Sequence, residues 1–207
     1  RKLNEMVYQM PRIFPDYNSE NIVICVSGIG ARSGFSVNIS KYISELQFQD
    51  NGQCFPLYLY DENGSRRDAI TDEGLAHFQA AYPNEQITKE DLFYYIYGLL
   101  HSPEYREKYA DNLSKELPRI PCVKTAVDFW SFSKAGRELA DLHINYETVA
   151  KYPATIEKHG DLTDADYRVE KMKYGKDKDK TTIIYNHKIT VKNIPLEAYD
   201  YVVNGKP

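Results

Sequence analysis

Three glycines stand in Ser27-Gly28-Ile29-Gly30-Ala31-Arg32-Ser33-Gly34, directly behind the apolar run Ile22-Val23-Ile24-Cys25-Val26. A dinucleotide-binding loop is built this way, its glycines letting backbone amides close on a pyrophosphate at a helix N-terminus. Here the third glycine falls one residue late, and Phe35-Ser36-Val37-Asn38-Ile39 alternates like a strand where that helix should begin. A Walker loop is also missing, since no Gly-Lys-Ser/Thr occurs at the segment. Three readings stay open: a structural loop, a nucleotide site, or a loop that brings Arg32 to a nucleic-acid phosphate.

The remaining candidates for catalysis are weaker. His77, His101, His143, His159 and His187 form neither an HxH nor an HExxH arrangement, so no metal set is expected. His143, beside Leu142 late in a helix, suits a hydrogen-bonded core or capping role. The acidic pairs Asp61-Glu62, Asp72-Glu73 and Glu90-Asp91 fall at turns or helix starts, where carboxylates cap and solvate. No Ser, Cys or Thr occupies a nucleophile elbow. No catalytic residue, and no cofactor or metal ligand, is therefore assigned in this chain.

Charge is more informative. Residues 168–192 hold Arg168, Lys171, Lys173, Lys176, Lys178, Lys180, Lys188 and Lys192 against Glu170, Asp177 and Asp179, while residues 1–167 carry a net of −8. Interleaving with Tyr174, Tyr185, Asn186 and His187 adds groups that can read base edges to groups that neutralise phosphates. Lys173, Lys176, Lys178 and Lys188 are expected on phosphates, because ammonium groups are mobile point charges. Asn186 and Arg32 are expected on base edges, because an amide or guanidinium forms paired hydrogen bonds. A solvated hairpin is the competing reading of the same segment.

These residues must be positioned by an α/β arrangement with α+β tendency. An early mixed or antiparallel sheet is expected from Ile22–Val26, Phe35–Ile39 and Phe55–Tyr60. Central helices start behind Thr71, behind the capping-box-like Thr88-Lys89-Glu90-Asp91 and at Ser102-Pro103. In the last of these, Tyr105, Tyr109, Leu113 and Leu117 form one stripe until Pro118. A fourth helix covers Ala126 to Asn145, with Val127, Trp130, Leu139 and Leu142 as its buried side. The helical tyrosines are expected to pack and to hydrogen-bond at the rim.

The end of the chain reads as a basic three-stranded meander and a short helix. Its strands are Tyr167–Tyr174, Thr181–Tyr185 and Lys188–Lys192, with a flexible loop at Gly175–Lys180, a tight turn at Asn186-His187, and a helix from Pro195 capped by Asn204-Gly205. The whole, residues 1–207, reads as one domain that can be subdivided into 1–150 and 151–207.

Composition sets the class. The 207 residues have a net charge of −4 and 42% hydrophobic residues, which excludes disorder and a generally basic nucleic-acid coat. Cys25, Cys54 and Cys122 lie far apart in sequence without CxxC spacing, so a reducing cytoplasm fits better than a disulfide framework. The apolar run Leu92–Leu100 is far short of the roughly 20 residues that span a bilayer. Arg1 stands in place of an initiator Met, with no leader pattern after it, so a fragment of a larger protein is expected.

Four strings carry a family resemblance: PRIFPDYNSENIVICVSGIGARSGFSV from Pro11, CFPLYLYDENG from Cys54, ITKEDLFYYIYGLLHSPEYREKYADNLSKELPRIP from Ile87, and GRELADLHINYE from Gly136. With the closing TTIIYNHKITVKNIPLEAYDYVVNGK, they resemble the C-terminal region of single-chain Type ISP restriction-modification enzymes, often labelled helicases. The resemblance implies a target recognition domain for double-stranded DNA. In such a parent, an endonuclease, an ATP-driven translocase and an adenine-N6 methyltransferase precede it on one chain and use ATP, Mg and S-adenosylmethionine. The methyltransferase Asn-Pro-Pro-Tyr motif is missing here, so no catalytic residue is carried over. Two alternatives are a coupling module between methyltransferase and translocase that touches no DNA, and a nucleotide-binding enzyme using the Gly28–Gly34 loop.

Overall fold

A computed structural model describes residues 10–44, 48–203 and 205–207. The chain divides into two units, one ending at Val149 and one spanning Ala150–Pro207. Helices and antiparallel sheets are largely segregated along the chain, an α+β arrangement.

The first unit opens with an antiparallel sheet of β1 (Val23–Val26), β2 (Val37–Ser40) and β3 (Gln53–Pro56), in the order β2-β1-β3. The central strand β1 is buried along its whole length, which explains a run of apolar residues without alternation. Ile24 and Val26 face the main core, whereas Val23 and Cys25 pack with Ile13 on the opposite side. Pro56 is tolerated because β3 is an edge strand. The expected single strand Phe55–Tyr60 is broken at buried Leu57, and β4 (Tyr58–Tyr60) pairs instead with β5 (Arg66–Asp68). Asn21 joins these pieces. Its amide donates to the carbonyls of Ile13 and Tyr58, both at 2.9 Å, and its oxygen accepts from the backbone N–H of Ile22 and Tyr58.

The helical part follows its sequence signals at the start of each element. α1 (Asp72–Ala81) is capped by Thr71, and α2 (Lys89–His101) by a complete Thr88–Asp91 capping box. Beyond Pro103 the expected continuous helix is interrupted. α3 (Pro103–Lys108) ends at Tyr109, whose φ of −110° and ψ of 18° leave the helical region, and α4 (Ala110–Leu113) is a single turn. α5 (Ala126–Ile144) occupies nearly the expected span, but its buried face differs from the expected one. Val127 is 74% exposed and Leu142 48%, while Phe129, Ser133, Gly136 and Ala140 are buried. Trp130 and Leu139 are only partly buried.

The reason is a close approach of α2 and α5. A Cβ on Gly136 would lie 1.9 Å from the Tyr94 carbonyl oxygen, and one on Gly98 would lie 2.3 Å from that of Phe132. Only glycines let the two backbones meet, so the small-residue face of α5 turns inward. Around this contact Tyr95 stacks on Phe129 with centroids 4.7 Å apart, and Phe78 and Tyr82 pack on the same ring. Three tyrosine hydroxyls then secure the extended segment that precedes α5. Tyr105 donates to the Arg119 carbonyl at 2.7 Å, Tyr95 to Pro121 at 2.6 Å and Tyr82 to Val123 at 2.7 Å, alternate residues of one extended stretch. Burial pushes the Tyr105 hydroxyl pKa up to about 12, so these donors keep their protons.

The second unit has a four-stranded antiparallel sheet in the order β6-β9-β8-β7, formed by β6 (Thr155–Lys158), β7 (Lys173–Tyr174), β8 (Ile183–Ile184) and β9 (Ile189–Lys192). The expected three-stranded meander is present as β7-β8-β9, with shorter strands and β6 added beside β9. Tyr167 belongs to a 3-10 turn, Asp164–Tyr167, and not to a strand. The expected short closing helix is a 3-10 helix, Leu196–Asp200, with Pro195 just before it. Of its expected cap, Asn204 lies outside the described residues, and Gly205 takes a φ of 73° beside a Val203–Lys206 bridge.

The glycines of the helices supply two contrasting cases, one at the α2–α5 contact and one in the first turn of α1. Gly136→Ala is expected to destabilise the first unit by about 3 kcal/mol, the upper end of overpacking, because the obstructing atoms are backbone. Gly74→Ala, where the added methyl meets nothing nearer than the Thr71 hydroxyl at 3.4 Å, is expected to stabilise it by about 0.5–1 kcal/mol. Urea unfolding of both variants checks the pair.

His101 supplies a pH dependence. Burial holds its pKa down, from 6.5 to about 4, and its Nε2 is buried without a partner while Nδ1 faces the Tyr97 carbonyl at 2.9 Å. The unfolded chain therefore binds the extra proton between these values, and stability is lost as pH falls from 6.5 towards 4. Unfolding midpoints across that range should fall less steeply in His101→Gln.

Candidate nucleic-acid interface

The expected contact residues fall on both units. Arg32 lies in the first, in the connection of residues 27–36 between the antiparallel strands β1 and β2. This connection is held at its base by paired Ser27–Ser36 hydrogen bonds of 2.9 and 2.8 Å. Gly28 passes so close to residue 51 that an added Cβ would lie 1.9 Å from the Asn51 carbonyl oxygen. The backbone N–H of Arg32 donates to the Asp50 carboxylate at 2.6 Å, which leaves its side chain exposed at the tip with Ile29. β2 stands where a dinucleotide fold would place a helix, so the amides have no helix N-terminus to offer a pyrophosphate. Two clefts open on this unit, of about 930 and 330 Å³, and residues 27–36 line neither.

Lys173, Lys176 and Lys178 lie together on one hairpin of the second unit. Lys173 begins β7, and the other two flank Asp177 in the 3-10 turn Lys176–Lys178 that leads to β8. All three are exposed, and none makes an ion pair among the described residues. The connection has a defined hydrogen-bonded form. The Gly175 N–H donates to the carbonyls of Asp179 and Thr182 at 3.0 and 2.9 Å, and the Asp179 carboxylate accepts from the Thr181 hydroxyl and N–H. Asp177 and Lys178 take left-handed φ values of 58° and 64°. Asp accepts this conformation readily, whereas for Lys it costs roughly 1 kcal/mol.

Asn186 does not fit the role expected from its residue type. It is buried, its amide nitrogen donates to the carbonyls of Asp166 and Arg168, and its oxygen accepts from the N–H of Lys188 and Ile189. An asparagine side chain has two donor hydrogens and two acceptor lone pairs, so none remains for a base edge. Lys188 is committed as well, with its ammonium 2.8 Å from the Asp166 carboxylate. That contact holds Asp166 down to a pKa of about 2. Other basic residues of the segment are also engaged: Lys192 pairs with Glu157, and Lys180 sits over the Tyr199 ring.

Arg168 and Lys171 join the three hairpin lysines as exposed cations without an ion pair among the described residues. Charge counting includes both, but no local pattern distinguishes them from Lys188 and Lys192. Among the described residues no group of three or more His, Cys, Asp or Glu could hold a metal, and no helix is long and apolar enough to cross a membrane.

The whole chain, residues 1–207, matches the Type ISP C-terminal specificity domain. It belongs to that family. No curated protein matches it. Solved structures similar to this specificity domain include a DrdV–DNA complex determined by cryoEM, at 35% identity and a TM-score of 0.85. The ATP-dependent Type ISP restriction-modification enzyme LlaBIII bound to DNA is 38% identical with a TM-score of 0.82. A nuclease-deletion mutant of the Type ISP enzyme LlaGI, in complex with a DNA substrate mimic, is 39% identical with a TM-score of 0.77. Each match covers 96% of this chain but only 20%, 13% and 17% of the DrdV, LlaBIII and LlaGI chains, respectively. The specificity domain thus spans a fifth or less of these enzymes.

Asn186→Ala is expected to lower the stability of the second unit by about 1–3 kcal/mol, since it strands backbone groups that the amide now pairs. Lys176→Ala should leave the unfolding midpoint within about 0.5 kcal/mol of the parent, as an exposed substitution does. Equilibrium unfolding separates the two.

Proposed function

We propose that this domain recognises a double-stranded DNA target and presents it to an adenine-N6 methyltransferase on the same polypeptide. The observation that carries the reading is the match across 96% of the chain to enzymes solved with DNA or a DNA mimic, at 35–39% identity. The parent would be a cytoplasmic restriction-modification enzyme using ATP and Mg for translocation and cleavage, and S-adenosylmethionine for methylation. Its target adenine would leave the duplex to reach the methyltransferase.

Within this domain, Lys173, Lys176 and Lys178 would neutralise phosphates, with Arg168 and Lys171 extending the same basic surface. Arg32 is retained as the base-edge candidate, because its guanidinium is exposed on a loop whose backbone is already held. Asn186 and Lys188 would act from behind, holding the β8–β9 turn. The first unit's acidic excess would confine DNA to restricted faces.

In the intact enzyme, deletion of this domain should abolish site-specific adenine methylation, read by sequencing modified bases, while nucleotide binding by the motor persists. Retained methylation at the same sites would favour the coupling module instead. Lys176→Ala with Lys178→Ala should weaken binding to cognate and scrambled duplexes alike, and lower the salt slope by about one ion per lost contact. Arg32→Ala should instead cost about 1–3 kcal/mol on the cognate site and relax one base pair.

A further inference from the structure

Cys25 and Cys54 are separated by 28 residues of sequence, yet the β1–β3 register places them directly opposite each other. Directly opposed residues in an antiparallel pair have Cα atoms about 4.5–5.5 Å apart and side chains on the same face. That separation lies within the range that disulfides span. Their sulfurs are 3.1 Å apart, already closer than ordinary sulfur contact, and both cysteines are free thiols. We propose that Cys25 and Cys54 form a reversible oxidation site, closing to a cross-strand disulfide when a hydroperoxide reaches Cys54.

The two thiols have different roles. Cys54 is partly exposed on an edge strand, whereas Cys25 is 1% exposed on the central strand, behind Ile13 and Val23. The contact with Cys25 holds the Cys54 thiol below its usual range, while that contact and burial push Cys25 up. Cys54 is thus the more accessible and the more readily ionised of the two, the thiol that an oxidant meets. Its sulfur attacks the terminal peroxide oxygen, the O–O bond breaks, and the alkoxide leaving group takes a proton to become an alcohol. Cys54 is then a sulfenic acid. The Cys25 sulfur attacks the Cys54 sulfur, the S–S bond forms as the S–O bond breaks, and the departing hydroxide takes the Cys25 proton as water. Overall, two thiols lose two electrons and one hydroperoxide becomes an alcohol and water. A dithiol reductant reverses the change by exchange.

Neither strand need move for this bond to close, and Cys122, in the segment leading to α5, takes no part. Ser44 also adjoins the site, its hydroxyl 3.5 Å from the Cys25 sulfur. Closure would therefore take from Cys25 the proton it shares with the Ser44 hydroxyl.

The test treats the full-length enzyme with hydrogen peroxide, unfolds it in denaturant with iodoacetamide to block every remaining thiol, and maps peptides by mass spectrometry. The expected product is a linked pair of peptides containing Cys25 and Cys54, lighter by two hydrogens and lost after dithiothreitol, with Cys122 alkylated. In Cys25→Ser, Cys54 should be trapped as a dimedone adduct. In Cys54→Ser, Cys25 should survive as thiol. Wild-type protein in which both thiols remain alkylatable, or in which Cys54 proceeds to sulfinic acid beside a reduced Cys25, would overturn the proposal. Circular dichroism of both serine variants confirms that the comparison is made on folded protein.

Discussion

The contact between Gly98 and Gly136 sets the geometry of the first unit. Helices normally meet through side chains at 8–10 Å between axes, but here the carbonyl oxygens of Tyr94 and Phe132 occupy the space where methyl groups would stand. Everything that packs around the pair takes its position from that approach. Phe129 is brought onto Tyr95, Ser133 reaches the Asp91 carbonyl at 2.9 Å, and Arg137 reaches Glu90 and Asp91 while lying over the Tyr94 ring. The tyrosines around the pair then hold the 119–123 stretch through their hydroxyls, so the apolar core ends in directed hydrogen bonds.

The second unit uses a different principle. Ile189 is its only buried hydrophobic residue among those described, and Ile156, Val169, Met172 and Leu196 are more than half exposed. A unit of this size buries limited apolar surface, so order must come largely from the backbone. Asn186 satisfies four backbone groups, the Thr163–Asp166 capping box fixes the preceding turn, and Asp179 organises the hairpin connection. Asn21 solves the same problem in the first unit, where it joins residue 13 to β4. In both places a neutral amide with two donors and two acceptors closes a junction that no regular ladder could satisfy.

Local signals in the sequence were legible where the physics is local. Thr71, Thr88 with Asp91, Ser102 with Pro103, and the strand around Val23–Val26 all mark elements that the fold contains. The buried face of α5 was not legible, because periodicity favours Val127 and Leu142 whereas the glycine contact selects Phe129, Ser133, Gly136 and Ala140. Tyr109 ended a helix inside an unbroken apolar stripe for a related reason, since spacing reports sidedness but not backbone continuity. The basic segment was visible as a charge imbalance, yet residue type alone could not separate exposed Lys176 from Lys188, whose partner Asp166 lies 22 residues earlier. Asn186 carried the chemistry of a base reader and performs the work of a turn. The Cys25–Cys54 pairing was hidden in strand register, which no spacing between the two residues encodes.

The hydrogen bonds that shape the Gly175–Thr182 connection run between backbone groups, the carboxylate of Asp179 and the hydroxyls of Thr181 and Tyr199, and none of these uses the side chains of Lys173, Lys176 or Lys178. The display positions are thereby uncoupled from the framework that holds them out. Successive substitutions at those three positions can alter the charge and shape of the hairpin without first requiring a compensating change elsewhere. The hairpin is in this sense evolvable: charge and shape can vary at its tip while the bonds that hold it out stay in place.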